Sequence, residues 1–208
     1  DLETTSLRPV QARAVGISFS CCAGEACYIP LAHNYLGVPD QLGMDWVFEQ
    51  LKPILENPKI KKVGQNIKYD YIVLKNEGVN LKGIAFDTML ASYLLNPSSR
   101  GHNMDALALE YLGLTTIKYK DVVGTASKEI GFDEVEIERA TEYAAEDADM
   151  AWRLYEKLSS ELRGDDLNIF QSIELPLLKV LGDMELKGMA LDKVHLQKLS
   201  HKIQLLLS

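Results

Sequence analysis

Four carboxylates reach this chain in three packets: Asp1 and Glu3 in DLETTSL, Asp70 in GQNIKYD, and Asp147 in EYAAEDAD, where Tyr143 stands four residues before it. At about 100° per residue, Ala140, Ala144, Ala148, Ala151, Tyr155 and Leu158 form one apolar stripe of a helix. Asp147 falls inside that stripe, whereas Glu142, Glu146, Asp149 and Arg153 fall on the polar face. A buried, unpaired carboxylate is costly, so Asp147 requires a metal, a cation or strong hydrogen bonds. A buried salt bridge or a cap is the plainer alternative. Asp70 repeats the pattern within the stripe of Ile67, Tyr71 and Leu74, with a solvated helix end as its plainer alternative. Asp1 and Glu3, two apart, share one face of a strand unless the terminus is simply solvated. If they converge, four oxygen ligands suit Mg²⁺ or Mn²⁺ rather than Zn²⁺. Two such ions about 3.5–4 Å apart stabilise the attacking and leaving oxygens of an in-line phosphoryl displacement. Neither a Ser-His-Asp set nor a Gly-rich phosphate loop competes with that chemistry.

The elements that must position these residues follow from periodicity. Residues 14–20 alternate like a strand, and 26–31 do so again after the turn Ala23-Gly24-Glu25, which makes a hairpin. Helical spacing runs over 44–55, with a short strand at 61–64. Asn66 is placed to cap a helix to about residue 77, ended by Gly78. A strand at 84–86 leads to Asp87, the cap of a helix to about 95. Further helices are expected over 104–112, 134–162, 167–187 and 191–208, with 115–132 irregular. A hairpin followed by βα units predicts an α/β fold with a mixed sheet flanked by helices.

The 208 residues are 47% hydrophobic, enough for one sizeable domain or one domain and the start of another. A net charge of −8 excludes a protein that holds nucleic acid mainly by its own charge. Metal ions or a partner domain would have to supply the positive charge. Cys21, Cys22 and Cys27 form neither a disulfide framework nor a zinc pattern and read as reduced thiols in a strand pair, hence an intracellular compartment. No apolar run reaches about 18 residues. No signal peptide opens the chain, so a soluble protein is expected. Both ends read as cut from a longer polypeptide, with the strand leading into Asp1 absent.

Asp1-x-Glu3, Asn66-x-x-Tyr69-Asp70 and Tyr143-x-x-x-Asp147 resemble the three exonuclease motifs of the DEDD superfamily, and the tyrosine of the third resembles its tyrosine subclass. The stretches YIPLAHNYL, VGQNIKYD, GIAFDTMLASYLLN and EYAAEDAD are similar to the proofreading 3′–5′ exonuclease domain of bacterial, family A DNA polymerases. The likeness covers 1–163, and IELPLLKVLGDMELKGMALD resembles the segment where the polymerase domain begins, so 164–208 would open that domain. Leu2 departs from the family, where Thr is common.

The resemblance implies a ribonuclease H-like fold and two Mg²⁺ ions, with Mn²⁺ able to substitute. Asp1, Glu3 and Asp147 would hold the tighter ion, Asp1 would bridge to the second, and Asp70 would contribute through water. Tyr143 and Glu3 would orient the attacking water, and each cycle would release one deoxynucleoside 5′-monophosphate. Leu7, Gln65, Asn66, Tyr69 and Tyr119 match positions that grip a frayed single-stranded 3′ end; for Leu7 and Tyr119 ordinary packing is the alternative. The implied partners are the 3′ end of DNA and the polymerase domain of the same polypeptide. The protein would be a monomer in the bacterial cytoplasm or an organelle of bacterial descent. Two rivals stand beside this: a ribonuclease D-like exoribonuclease, and a catalytically silent scaffold for the polymerase.

Overall fold

The structure, a computed structural model, describes residues 1–125 and 129–207. The first strand, β1 (Leu2–Thr4), pairs antiparallel with β2 (Ala14–Cys22), which pairs antiparallel with β3 (Glu25–Pro30). After α1 (Met44–Leu55) come β4 (Lys62–Gly64), α2 (Ile67–Asn76), β5 (Ile84–Asp87) and α3 (Thr88–Leu95), a βαβ unit with β4 and β5 parallel. Both strand senses expected of the sheet are therefore present, in a three-stranded and a two-stranded piece.

A short helix α4 (Met104–Leu107) widens into a π-turn at Ala108–Leu112. The stretch expected to be irregular contains one helical turn, α5 (Tyr119–Val123), and a 3₁₀ turn at Phe132–Glu134; residues 126–128 of it lie outside the described residues. Val122, Val123 and Phe132 are buried there, but single turns are too short to show a period. The long helix α6 (Ile137–Glu161) lies across β2, β3 and β4. Its buried side chains are the expected alanines and Leu158, joined by Met150 and Leu154.

Beyond it, α7 (Gly164–Ile169) runs through a π-turn at Phe170–Glu174 into α8 (Leu175–Lys187), and α9 (Lys193–Leu207) follows. One regular helix was expected over 167–187. Pro176 at the start of α8 lacks an N–H and its ring crowds the carbonyl four residues back, which the wider turn accommodates. No helix among the described residues is long and apolar enough to cross a membrane.

Asn66 does not cap α2 with its side chain; it sits in the left-handed region at φ 53°. The cap comes from Asp87, which is buried. Its Oδ2 accepts from the Ile67 N–H at 2.8 Å and its Oδ1 from the Asn66 N–H at 3.3 Å. The same Oδ1 also caps α3, accepting from Met89 at 2.9 Å and Leu90 at 3.1 Å. One carboxylate thus orients the helix that carries Asp70 against the second half of the βαβ unit. Asp87→Ala would orphan N–H groups at two helix ends and is expected to lower stability by about 3 kcal/mol or more, read by urea unfolding. Asp87→Asn should cost less, because the amide oxygen still accepts.

Candidate active site

Strand periodicity puts Asp1 and Glu3 on one face of β1, and the register Glu3 to Gly16 sets that face beside β2. Gly16 is required by space: a Cβ there would lie 2.1 Å from the Tyr28 hydroxyl oxygen. Across from β1, α6 presents Asp147 from the edge of its alanine stripe. One carboxylate oxygen from each of Asp1, Glu3 and Asp147 lies within 4.8 Å of the others, a spacing that a divalent ion can bridge.

Asp70 lies outside that triad but is buried near it. Its carboxylate accepts from the Leu2 N–H and from its own, its Oδ1 has no partner among the described residues, and its charge is felt at Glu3. None of the four acids forms an ion pair with a Lys or Arg among the described residues.

The electrostatics follow from that lack of cations. Burial, then repulsion from Asp147, pushes Glu3 up to about 8, and the α-ammonium of Asp1 only partly offsets this. Burial likewise raises Asp147 to about 7, although the Tyr143 phenol donates a hydrogen bond to it, and Asp70 to about 6. The Tyr143 phenol is itself pushed up by burial and by Asp147, so it remains a proton donor at neutral pH. Desolvated acids with an orphaned oxygen and no Lys or Arg paired to them among the described residues fit a hard divalent cation. With oxygen as the only donor type in the cluster, they do not fit a zinc site.

A profile of the 3′–5′ exonuclease family matches residues 1–163. The chain belongs to that family. DNA polymerase I of Pseudomonas aeruginosa is 47% identical over 196 residues, 92% of this chain and 22% of that protein. DNA polymerase I of Rhizobium leguminosarum is 40% identical over 98% of this chain and 22% of that protein. The exonuclease chain therefore spans about a fifth of the length of these relatives.

Among solved structures, the POL domain of Pol1 from M. smegmatis, in complex with DNA primer-template and dNTP, matches with a TM-score of 0.75 at 24% identity, over 97% of this chain and 30% of that one. Brucella melitensis NrnC matches at 0.68 and 22% identity, over 93% and 86%. At such identities these likenesses show the fold alone, an α/β architecture of the ribonuclease H-like kind.

The residues expected to grip substrate in this exonuclease are placed unevenly. Tyr119 stacks on Phe132 with centroids 6.2 Å apart and meets Tyr143 edge-on at 6.1 Å, so it borders the carboxylates. Leu7 is 91% exposed at the tip of the loop after β1. The Tyr69 hydroxyl is engaged by Thr4 Oγ1 and the Ser6 carbonyl, holding that loop on α2. Gln65 is spoken for at both ends of its amide: it accepts from Thr88 and donates to the His102 carbonyl at 2.7 Å. Asn66 contributes its left-handed backbone at the start of α2.

Sequence reasoning overlooked several supports. Phe132 packs 5.9 Å from Tyr143, and Glu146, assigned to the polar face, accepts from the Ile117 N–H at 2.6 Å. His33 is buried: its Nδ1–H donates to the Val135 carbonyl at 2.9 Å and its Nε2 accepts from Tyr28 at 2.8 Å. That bond ties the hairpin to the entry of α6.

Proposed function

We propose that this chain is the proofreading unit of a DNA polymerase I-like protein, removing nucleotides one at a time from a single-stranded 3′ end of DNA. The observation that carries the reading is the convergence of Asp1, Glu3 and Asp147 within 4.8 Å, on a chain matched by the exonuclease family. Asp1, Glu3 and Asp147 would hold one Mg²⁺ and Asp1 with Asp70 a second, Mn²⁺ substituting. When bound, the ions supply a water of lowered pKa and charge neutralisation at the phosphoryl oxygens.

The chain's own residues do the rest. Glu3, ionised once a cation replaces its proton, accepts from the attacking water. Tyr143 keeps its phenolic proton and helps to orient that water. Tyr119 and Leu7 offer the terminal base apolar faces, which bind any base without reading its edge. That indifference suits an enzyme that must remove any mispaired nucleotide.

In the full polypeptide, 1–163 forms the exonuclease unit and 164–208 leads into the polymerase. An apolar groove of about 530 Å³, bordered by Phe19 on β2 and Val63 on β4, fits a strand leading into Asp1. The Asp1 nitrogen already continues the ladder by donating to the Ser18 carbonyl at 3.0 Å. The likeness to bacterial DNA polymerase I proteins supports a cytoplasmic protein of a bacterium or of an organelle of bacterial descent, and a monomer is part of the same reading.

The test is digestion of a 5′-labelled single-stranded DNA oligonucleotide with Mg²⁺. A one-nucleotide ladder is expected, slowed about 10²-fold by Tyr143→Phe with the ladder pattern kept. A ladder obtained from RNA but not DNA would favour the exoribonuclease reading, and no ladder from either would favour the scaffold.

A further inference from the structure

Helix α8 lies outside the span matched by the exonuclease family, yet it is built onto the helix that carries Asp70. Leu178 shares an apolar cluster with Tyr71 and Ile72. One turn on, Gly182 meets the Tyr71 ring so closely that a Cβ would lie 2.8 Å from its Cδ1 and 3.0 Å from its Cε1. The polar ties are equally directed. Tyr71 donates to Asp183 Oδ1 at 2.7 Å, Lys75 Nζ reaches the same oxygen at 2.6 Å, and Lys68 pairs with Glu185. Lys68, Tyr71 and Lys75 fall on one face of α2, while Asp70 projects from another toward the β1 backbone.

α2 is thus held from two sides. Asp87 fixes its N-terminus, and α8 presses on the face away from the carboxylate cluster. Among the described residues, Asp70 Oδ1 has no hydrogen-bond partner to correct its reach. We propose that Gly182 and Asp183 of α8 are positioning residues for Asp70. They set how deeply α2 sits and therefore where the Asp70 carboxylate stands relative to the Asp1–Glu3–Asp147 triad. The functional exonuclease unit then extends through residue 187 rather than ending at 163. A movement of the chain beyond α8 would be transmitted to a metal-site carboxylate through a close-packed contact, because interiors transmit displacement rather than absorb it. The proposal rests on the reading of Asp70 as a metal-site residue.

The experiment is Mn²⁺ titration by electron paramagnetic resonance, with kcat and KM on the oligonucleotide, for wild type, Asp70→Asn, Gly182→Ala and Asp183→Asn. Gly182→Ala forces the Tyr71 ring to move, and is expected to weaken Mn²⁺ binding about tenfold and lower kcat by a similar factor at unchanged KM. Asp183→Asn keeps the shape but loosens both ties, and should shift both readouts in the same direction by a smaller factor. Wild-type Mn²⁺ affinity and kcat in the two α8 variants, with only the melting temperature lowered, would overturn the proposal. If Gly182→Ala does not fold, Asp183→Asn decides by the same criterion. A wild-type chain that takes up no Mn²⁺, or an Asp70→Asn chain that binds it unchanged, would overturn the metal reading itself and is recognised before the α8 variants are compared.

Discussion

Asp147→Ala is expected to lower the rate of nucleotide release by 10³-fold or more and, in the same molecule, to raise the melting temperature of the metal-free protein at pH 8. The first effect follows from removing one of three oxygens that converge within 4.8 Å, since each ion is asked to supply several kcal/mol of transition-state stabilisation. The second follows from the surroundings of the carboxylate. Asp147 is partly buried, repels Glu3, and accepts a hydrogen bond from the Tyr143 phenol. Truncating it relieves a repulsion at the loss of one hydrogen bond. The net gain is about 1 kcal/mol, or roughly 2–4 °C in a chain of this size. A structural role predicts the opposite sign, because breaking a buried ion pair strands its partner and destabilises by several kcal/mol. The two effects are read by the oligonucleotide ladder and by thermal unfolding in EDTA. A variant that is inactive and less stable would return Asp147 to the bland reading of a structural acid.

Asp147 was legible because its helix is long: a stripe of alanines recurring over about three turns, continued by Leu158, leaves little choice about which acid faces inward. The same reasoning found Asp70, but missed that Ile72 and Val73 on the other side of α2 are also buried. The element packed on Ile72, α8, is more than 100 residues away in sequence, and no local period reports a contact of that range. The exchange of caps has the same origin. Asn66 is well placed by type, but Asp87, brought beside it by the parallel pairing of β4 and β5, binds the N–H groups with a full charge.

Asp1 and Glu3 carried almost no weight by spacing; their convergence became an expectation through resemblance and a distance through the fold. Asp70 stands outside the group formed by the other three, in keeping with the lesser, water-mediated part that the resemblance implies for it. The substrate positions show the limit of transfer by likeness. Tyr119 borders the site, whereas Gln65 and Tyr69 spend their polar atoms on the protein's own backbone and side chains.

The stability of the metal-free protein should fall as pH rises, and Mg²⁺ should reverse the trend. Glu3, Asp147 and Asp70 all have folded pKa values raised by burial, to about 8, 7 and 6 from ordinary values of 4.5, 3.8 and 3.8. A carboxyl raised in the folded state binds more protons folded than unfolded between its two pKa values. Its contribution is therefore intact below about pH 4 and is lost as pH climbs through the folded values, from about 6 to about 8. Without metal, the melting temperature should drop by on the order of 10 °C between pH 5 and pH 8.5.

Two other buried groups also have folded pKa values displaced by burial. Asp87 acts in the same direction, and His33, held neutral by burial, acts in the opposite one. Neither sits in the carboxylate cluster, so the difference between melts in EDTA and in Mg²⁺ isolates the site. That difference should be near zero at pH 5, where Mg²⁺ must compete with protons on Glu3 and Asp147. It should reach about 3 kcal/mol at pH 8 when the ion is at 100 times its dissociation constant. In Asp147→Ala both the fall with pH in EDTA and the gain from Mg²⁺ should shrink together. A melting temperature that rises with pH in EDTA, or a Mg²⁺ gain as large at pH 5 as at pH 8, would mean that these acids are not the cation's ligands.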